Sequence, residues 1–336
     1  MIAATCGDLF LSVAAGYKAI PYNCCANMNQ LHVVVGATGA LGQALTLRLI
    51  SEQAPVRAVV RSEERGREIL PESIEMVSAD ATDLTSLQAA CADAAVIYNC
   101  VYVSAQNWPG VTENFIVAAR ETGARLVFPS NIHPYGPLQQ NPALEDHPLG
   151  AQSERGKLRV KMERTLIDAH HNGDAQVVIP RLAALYGPTM HEGFLAMIFE
   201  SALAKRKAWW YGSLDMPYDL LYTDDAATAC FLLGTAEGAA GQVWHVPGAG
   251  ALSGREFITQ VYEAAGAKLD MSTRGRGMFQ LLGLVYPPAR AMLEVLYEFE
   301  QPLVMDGSKF ARAFPDFAYT PHAEAIRETL GWFKQK

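Results

Sequence analysis

The chain of 336 residues has little cysteine: Cys6, Cys24, Cys25, Cys91, Cys100 and Cys230 are all there is, with no Cys-x-x-Cys element and no histidines at zinc-ligand intervals. That excludes a structural metal site and a disulfide scaffold, and the thiols read as reduced ones of a cytoplasmic protein. Adjacent Cys24 and Cys25 are not expected to bridge, because the geometry of the bond resists it. There is also no uninterrupted apolar run of the roughly 18 residues or more that spans a bilayer, so no membrane crossing is expected. Basic charge is short as well. Lys and Arg number 27 against 35 Asp and Glu, a net charge of −8, which argues against a nucleic-acid partner because binding a polyanion needs a concentrated basic face. Internal repeats and low-complexity tracts are missing too.

What is present is an ordinary globular composition, 50% apolar and 18% charged, long enough to bury a full core. Residues 1–28 hold a weakly apolar stretch at 9–15 with no basic segment before it and no clean cleavage site after it. They read as an N-terminal extension rather than a signal peptide. From residue 31, short β-branched runs alternate with amphipathic stretches, the pattern of repeated βα units on a parallel sheet. Strands are predicted at 31–35, 56–60, 74–78, 95–99, 125–129 and 176–179, and helices at 40–51, 84–91 behind Asp83, 112–122 before Gly123, and 157–169 before Gly173. The fold expected is α/β: a Rossmann-type, doubly wound parallel sheet over 29–180, with a smaller, mixed C-terminal substrate lobe over 181–336. A strand at 242–246 returns to the sheet, and Tyr286-Pro-Pro splits the apolar stretch 278–299 into two helices.

The sharpest motif is Val33-Val-Val-Gly36-Ala37-Thr38-Gly39-Ala40-Leu41-Gly42, three glycines spaced by three at a strand-to-helix turn. Gly36 permits the tight turn, Gly39 lets main-chain N–H groups approach a diphosphate, and Gly42 lets helix and strand pack closely; the helix N-terminus adds a field that favours the anion. A dinucleotide is therefore expected on residues 36–42. At the end of the second strand an acid would serve the ribose 2′-hydroxyl, whereas a 2′-phosphate needs a cation. Arg61, with Ser62 and Arg65 close by, favours NADP(H) over NAD; the alternative is a solvated Arg61 with Glu63 on the ribose. Asp80 and Ala81 are expected near the adenine amino group, and Asn99, Cys100 and Val101 near the nicotinamide ribose.

These residues resemble the extended short-chain dehydrogenase/reductase family, also called the NAD-dependent epimerase/dehydratase family. The resemblance runs from about Leu31 to the C-terminus. It rests on the glycine cradle, on Phe128-Pro-Ser130…Tyr135-Gly136, on Arg181…Tyr186-Gly187-Pro188 and on Tyr222-Thr-Asp-Asp225-Ala. It implies a Rossmann core, a smaller substrate lobe, a possible homodimer, and hydride chemistry on a small-molecule substrate. The family's catalytic pair is a Tyr four residues before a Lys on the helix that here covers 153–171, and this chain has no Tyr between Tyr135 and Tyr186. With Lys157 in the lysine position, Ser153 takes the phenol's place; with Glu163 set against the family's acidic residue, Arg155 and Arg159 take the two places. Neither register restores a phenol.

A substitute acid or base is then expected near the nicotinamide. Asn131 aligns with the family's catalytic Ser or Thr once Tyr135-Gly136 is fixed, and an amide holds a carbonyl oxygen without transferring a proton. His133 exchanges a proton at neutral pH; otherwise it is a structural loop residue before Pro134. Lys157 orients a ribose or polarises a substrate oxygen, or else is solvated in its basic cluster, and Tyr102 is a reserve acid. Ser130 and Arg181 are expected on the substrate side, Leu182 and Ala183 beside the nicotinamide carboxamide, and Asp225 as a helix N-cap. The apolar pieces at 278–299, with Trp209 and Trp210, either roof an apolar or aromatic substrate or belong to core or dimer interface. The resulting expectation is an NADP(H)-dependent oxidoreductase for a small carbonyl or hydroxyl compound with a non-tyrosine acid/base. The competing expectations are a nicotinamide-retaining epimerase, dehydratase or lyase, and a non-catalytic NADP(H)-binding redox sensor.

Overall fold

The computed structural model describes residues 29–190 and 193–335. The extension at 1–28, with Cys6, Cys24 and Cys25, lies outside the described residues. The first half is a regular alternation: β1 (His32–Val35), α1 (Ala40–Ser51), β2 (Val56–Val60), α2 (Glu63–Ile69), β3 (Glu75–Ser78), α3 (Leu84–Ala90), β4 (Val96–Asn99), α4 (Trp108–Thr122), β5 (Arg125–Val127), α5 (Glu154–His171) and β6 (Gln176–Leu182). The caps follow the sequence. The Ser86 amide donates to Asp83 Oδ1 at 3.1 Å ahead of α3, and Gly123 takes the left-handed conformation that closes α4.

The second half is built from shorter pieces: β7 (Ala184–Tyr186), α6 (Phe194–Leu203), β8 (Ala208–Tyr211), β9 (Pro217–Tyr218), β10 (Leu220–Tyr222), α7 (Thr223–Thr235), β11 (Gln242–Val246), β12 (Leu252–Ser253), α8 (Gly254–Ala265), β13 (Met271–Arg274), α9 (Arg276–Leu282), α10 (Pro287–Val295), α11 (Ser308–Ala313) and α12 (His322–Gln335). The split at Tyr286-Pro-Pro falls between α9 and α10, as proline at the first helical turn requires.

Seven parallel strands form the central sheet in the order β11-β6-β5-β4-β1-β2-β3. Alternate residues feed opposite cores. Val33, Val35, Val59, Ile97 and Leu126 face one cluster, while Val34, Ala58, Val60, Val96 and Val127 face the other. That is why these strands are apolar at almost every position. The order reverses between β1 and β4, which opens a crevice beyond their carboxyl ends, the place where α/β sheets take ligands.

Several details differ from the sequence reading. The fifth strand stops at Val127 rather than 129, and Ser130 instead makes an isolated bridge to Arg181. A division at 180 would cut β6, which runs on to Leu182; β11 pairs with β6 as the expected returning strand at 242–246. Asp225 does not cap: it lies inside the first turn of α7, buried, and accepts from the Thr320 amide and hydroxyl, both at 2.9 Å, tying the C-terminal segment to the helix. Among the described residues no helix is long and apolar enough to cross a membrane.

Candidate active site

At the carboxyl end of β1 the chain turns at Gly36, whose φ of +87° lies in the left-handed region. A Cβ there would stand 2.7 Å from the Cys100 carbonyl oxygen, so the first glycine is what lets the turns after β1 and β4 touch. A Cβ on Gly42 would stand 2.2 Å from the Gly36 oxygen, which fixes the close approach of α1 to the turn. Gly39 differs. It is exposed, and a Cβ would meet nothing nearer than the Gly36 oxygen at 3.4 Å, so its bareness serves the outside rather than internal packing. Gly39 is the N-cap of α1, no side chain caps the helix, and its first turn holds no acid. The first-turn amides are thus left for an outside acceptor, and the turn Gly36–Ala37–Thr38–Gly39–Ala40–Leu41–Gly42 fits the diphosphate of a dinucleotide.

The flanking positions are arranged around this cradle. Asp80, after β3, accepts from the Thr82 amide and hydroxyl, each at 2.8 Å, and these bonds hold its carboxyl below the usual carboxylate range. Ala81 is buried, with its carbonyl accepting from Asn114 Nδ2 at 3.0 Å. Arg61 is exposed at the end of β2. The Glu63 carboxylate accepts from the Ser78 amide at 3.2 Å, and Ser62 caps α2. After β4, Asn99 Oδ1 accepts from the Val101 amide at 3.2 Å, and burial pushes the Cys100 thiol up to about 12, so it stays neutral. Tyr102, 88% exposed, stands clear of the protein body.

One strand along, the loop after β5 carries two polar groups of opposite character. The first is sealed. Ser130 Oγ donates to Glu163 Oε1 at 2.6 Å, Arg181 Nε donates to the same oxygen at 3.1 Å, and the Arg181 fork reaches both Glu163 Oε2 and the Tyr135 hydroxyl. Tyr135 in turn meets His245 Nε2 and donates to the Leu144 carbonyl. Glu163 and Arg181 are 4% and 2% exposed. Burial raises the Tyr135 phenol to about 12 despite the neighbouring guanidinium, and burial together with the Arg181 cation lowers His245 to about 3. Ser130 and Arg181, expected on the substrate side, are therefore committed to each other's network beneath the site. Leu182 and Ala183 are buried beside it.

The second group is open. Asn131 Oδ1 accepts from the His133 amide at 3.1 Å, holding the turn that presents the imidazole. His133 Nδ1 lies 2.6 Å from Glu298 Oε1 in a pair whose histidine is 25% exposed and whose carboxylate is 4% exposed. Glu298 belongs to a 3-10 turn, Leu296–Phe299, of the C-terminal half. Sequence reasoning missed it because 165 residues separate the pair and its surroundings read as core; the available signal was a lone acid inside the apolar run Leu296-Tyr-Glu-Phe299.

On α5, Ser153 is the N-cap, accepting from the Gly156 amide at 3.0 Å, so neither a phenol nor an open hydroxyl stands there. Lys157 is more than half exposed and pairs with Glu154 at 2.7 Å. Gly156 lies against the His133 carbonyl, where a Cβ would stand at 2.8 Å. Arg155 is exposed, whereas the Arg159 guanidinium lies over the Trp108 ring at 4.1 Å with a buried Nε that has no partner among the described residues. Burial lowers its pKa to about 10. Trp210 is core, while Trp209 is partly exposed under Arg274.

A family model described as the NAD dependent epimerase/dehydratase family matches residues 32–246. The chain belongs to this family. A ketoreductase of Stigmatella aurantiaca, named for 4-hydroxy-2-methyl-3-oxo-4-farnesyl-3,4-dihydroquinoline-1-oxide, is 24% identical over 256 residues, covering 71% of this chain and 74% of that protein. An uncharacterized protein of Mycobacterium tuberculosis is 35% identical over 104 residues, 30% of this chain, and the match spans only 12% of that relative's length. Among solved structures, dTDP-glucose 4,6-dehydratase of Bacillus anthracis in complex with NAD superposes with a TM-score of 0.76 at 16% identity, covering 91% of this chain and 97% of that one. At that identity the likeness concerns the fold.

Proposed function

We propose that this family member is an NADP(H)-dependent oxidoreductase acting on a small carbonyl or hydroxyl compound, with a non-tyrosine group moving the proton. The observation that carries the reading is the cradle at Gly36–Gly42: two of its glycines are required by internal packing, while Gly39 is exposed and the helix it opens has no side-chain cap. A bound nicotinamide would supply the hydride chemistry. The NADP(H) preference is supported by Arg61, an exposed cation at the ribose end of β2, and by the engagement of its acidic competitor Glu63 with the Ser78 amide.

The reading of the acid/base as non-tyrosine draws on three features. α5 contains no tyrosine. The nearby phenols of Tyr135 and Tyr186 are buried and hydrogen-bonded, Tyr186 to His322 Nδ1 at 2.8 Å. His133, by contrast, keeps part of its ring in the open. Carbonyl chemistry is favoured by the reaction class of the Stigmatella relative.

Titration of the protein with NADPH and NADH, followed by cofactor fluorescence, tests the proposal. Tighter NADPH binding, together with oxidation of bound NADPH by members of an aldehyde, ketone and enone panel, is the expected result. Equal or absent binding overturns the cofactor reading. Tight NADPH binding without turnover across the panel overturns the oxidoreductase reading in favour of a redox sensor.

A further inference from the structure

We infer that Glu298 is the positioning residue of a two-lobe dyad in which His133 exchanges the substrate proton; the inference rests on the oxidoreductase reading above. His133 comes from the loop after β5, on the ligand-binding edge of the sheet, and Glu298 from the 3-10 turn behind α10 in the C-terminal half. Their contact, Nδ1 to Oε1 at 2.6 Å, joins the loop after β5 to the C-terminal half.

Three features separate this contact from a structural ion pair. The carboxylate is almost fully buried, and its other hydrogen-bond partner is the Tyr297 hydroxyl, which donates to the same oxygen at 3.3 Å. Burying a carboxylate is costly unless it is paired. Glu163–Arg181 is closed on both sides, whereas His133–Glu298 leaves its histidine 25% exposed. Secondly, the pairing uses Nδ1 alone, and Nε2 has no hydrogen-bond partner among the described residues. A carboxylate on Nδ1–H fixes the tautomer and leaves Nε2 as the reactive nitrogen. Thirdly, the loop is braced on both flanks, by the Asn131 turn and by Gly156 against the His133 carbonyl, so the ring is presented by a rigid support.

A bound oxidised nicotinamide would supply the hydride acceptor, and its reduced form the donor. In the oxidising direction the hydroxyl proton of the substrate would pass to His133 Nε2, and the electron pair of the broken O–H bond would close the C=O bond as the C–H hydride departs. In reduction the substrate oxygen would take that proton from Nε2, and solvent would restore it. Glu298 would keep its hydrogen bond to Nδ1–H throughout and stabilise the charged ring.

Nitrogen NMR on the full chain labelled with ¹⁵N-histidine tests this without a substrate. H133Q identifies the His133 resonances by their loss. The neutral ring is expected as the Nδ1–H tautomer, and E298A should lose that signal in favour of Nε2–H. E298M, which keeps the side-chain volume without an acceptor, should do the same with the other histidine signals unmoved. Adding NADP⁺ should shift His133 Nε2, and for a carbonyl compound that turns over, E298M should lower kcat roughly 100-fold with little change in KM. An Nε2–H ring in the wild type, an unchanged tautomer in both Glu298 variants, or an Nε2 signal that ignores NADP⁺ shown by calorimetry to be bound overturns the dyad while leaving the cofactor reading intact. Absence of calorimetric binding for both nicotinamide cofactors overturns the oxidoreductase reading, and the dyad falls with it.

Discussion

His133 lies in the turn 133–135 and His245 packs against Tyr135 of the same turn, yet the two have been given opposite surroundings. His245 is fully buried, touches the Tyr135 hydroxyl and the Asp306 carbonyl, and has the Arg181 cation close by. Burial first and that cation second lower its pKa to about 3, so it is a neutral spacer at physiological pH. His133 has a carboxylate on one nitrogen and an open edge on the other. The lesson is that a histidine's usefulness is set by which charge its neighbours offer and by whether one nitrogen is left over. The sealed group ties the loop after β5 to α5, β6 and β11, and the open pair then stands on that base.

The strongest way to break this contrast is to cut each pair and compare the costs. Glu163→Ala leaves the Arg181 guanidinium buried without its carboxylate and should destabilise the fold by about 3–5 kcal/mol in chemical denaturation. Glu298→Ala leaves a partly exposed histidine that water can serve, and should cost only about 1 kcal/mol. Equal losses would mean that the open pair is structural after all.

A smaller effect comes from pH. Because His245 resists protonation in the folded state down to about 3, while the unfolded chain binds that proton near 6.5, its contribution to stability is intact above 6.5 and is lost as pH falls through this window. The loss should reach roughly 2 kcal/mol at pH 5 relative to neutrality, and His245→Gln should flatten that part of the stability curve. An identical acid limb in wild type and variant would show that the sealed histidine is not neutral.

The cradle sharpens the comparison from a third side. Gly42→Ala would set a Cβ 2.2 Å from the Gly36 oxygen. The forced shift of α1 should cost about 1–2 kcal/mol of stability and weaken NADPH binding at least tenfold by calorimetry. In that variant the sealed network should remain unaltered, since its members lie on the loop after β5, α5, β6 and β11.

Much of this was legible in the chain. The glycine spacing, the β-branched runs and the capping residues Asp83 and Gly123 are local signals, and the structure places them where local chemistry predicts. Asp225 misled because an acid before an Ala-rich helix looks like a cap, and only the return of the chain to Thr320 shows the tether. Ser130 and Arg181 misled in a similar way. Strand-end polar residues in a ligand-binding edge look available until Glu163, from a helix packed below, takes up their hydrogen bonds. Glu298 was invisible for the same reason, since its partner lies across two lobes and no periodicity links them.

The smallest predicted effect separates two arginines as the first separated two histidines. Arg181 spends its guanidinium on Glu163 and Tyr135 inside the core. Arg61 projects from the end of β2 with its side chain exposed, and its backbone carbonyl accepts from the Ser78 hydroxyl at 3.2 Å, which steadies the strand end beneath it. An exposed cation gains little by itself, so its worth should be visible only when a 2′-phosphate is present to pair with it. Arg61→Ala should therefore leave the unfolding transition unmoved, lower NADPH affinity roughly tenfold, as expected for loss of a charge-assisted hydrogen bond, and leave NADH affinity unchanged. Parallel losses for both cofactors would assign Arg61 to the shared diphosphate or adenine contacts, and the choice between them would then have to come from elsewhere on the rim, with Asp80 and its Thr82 bonds as the next group to vary.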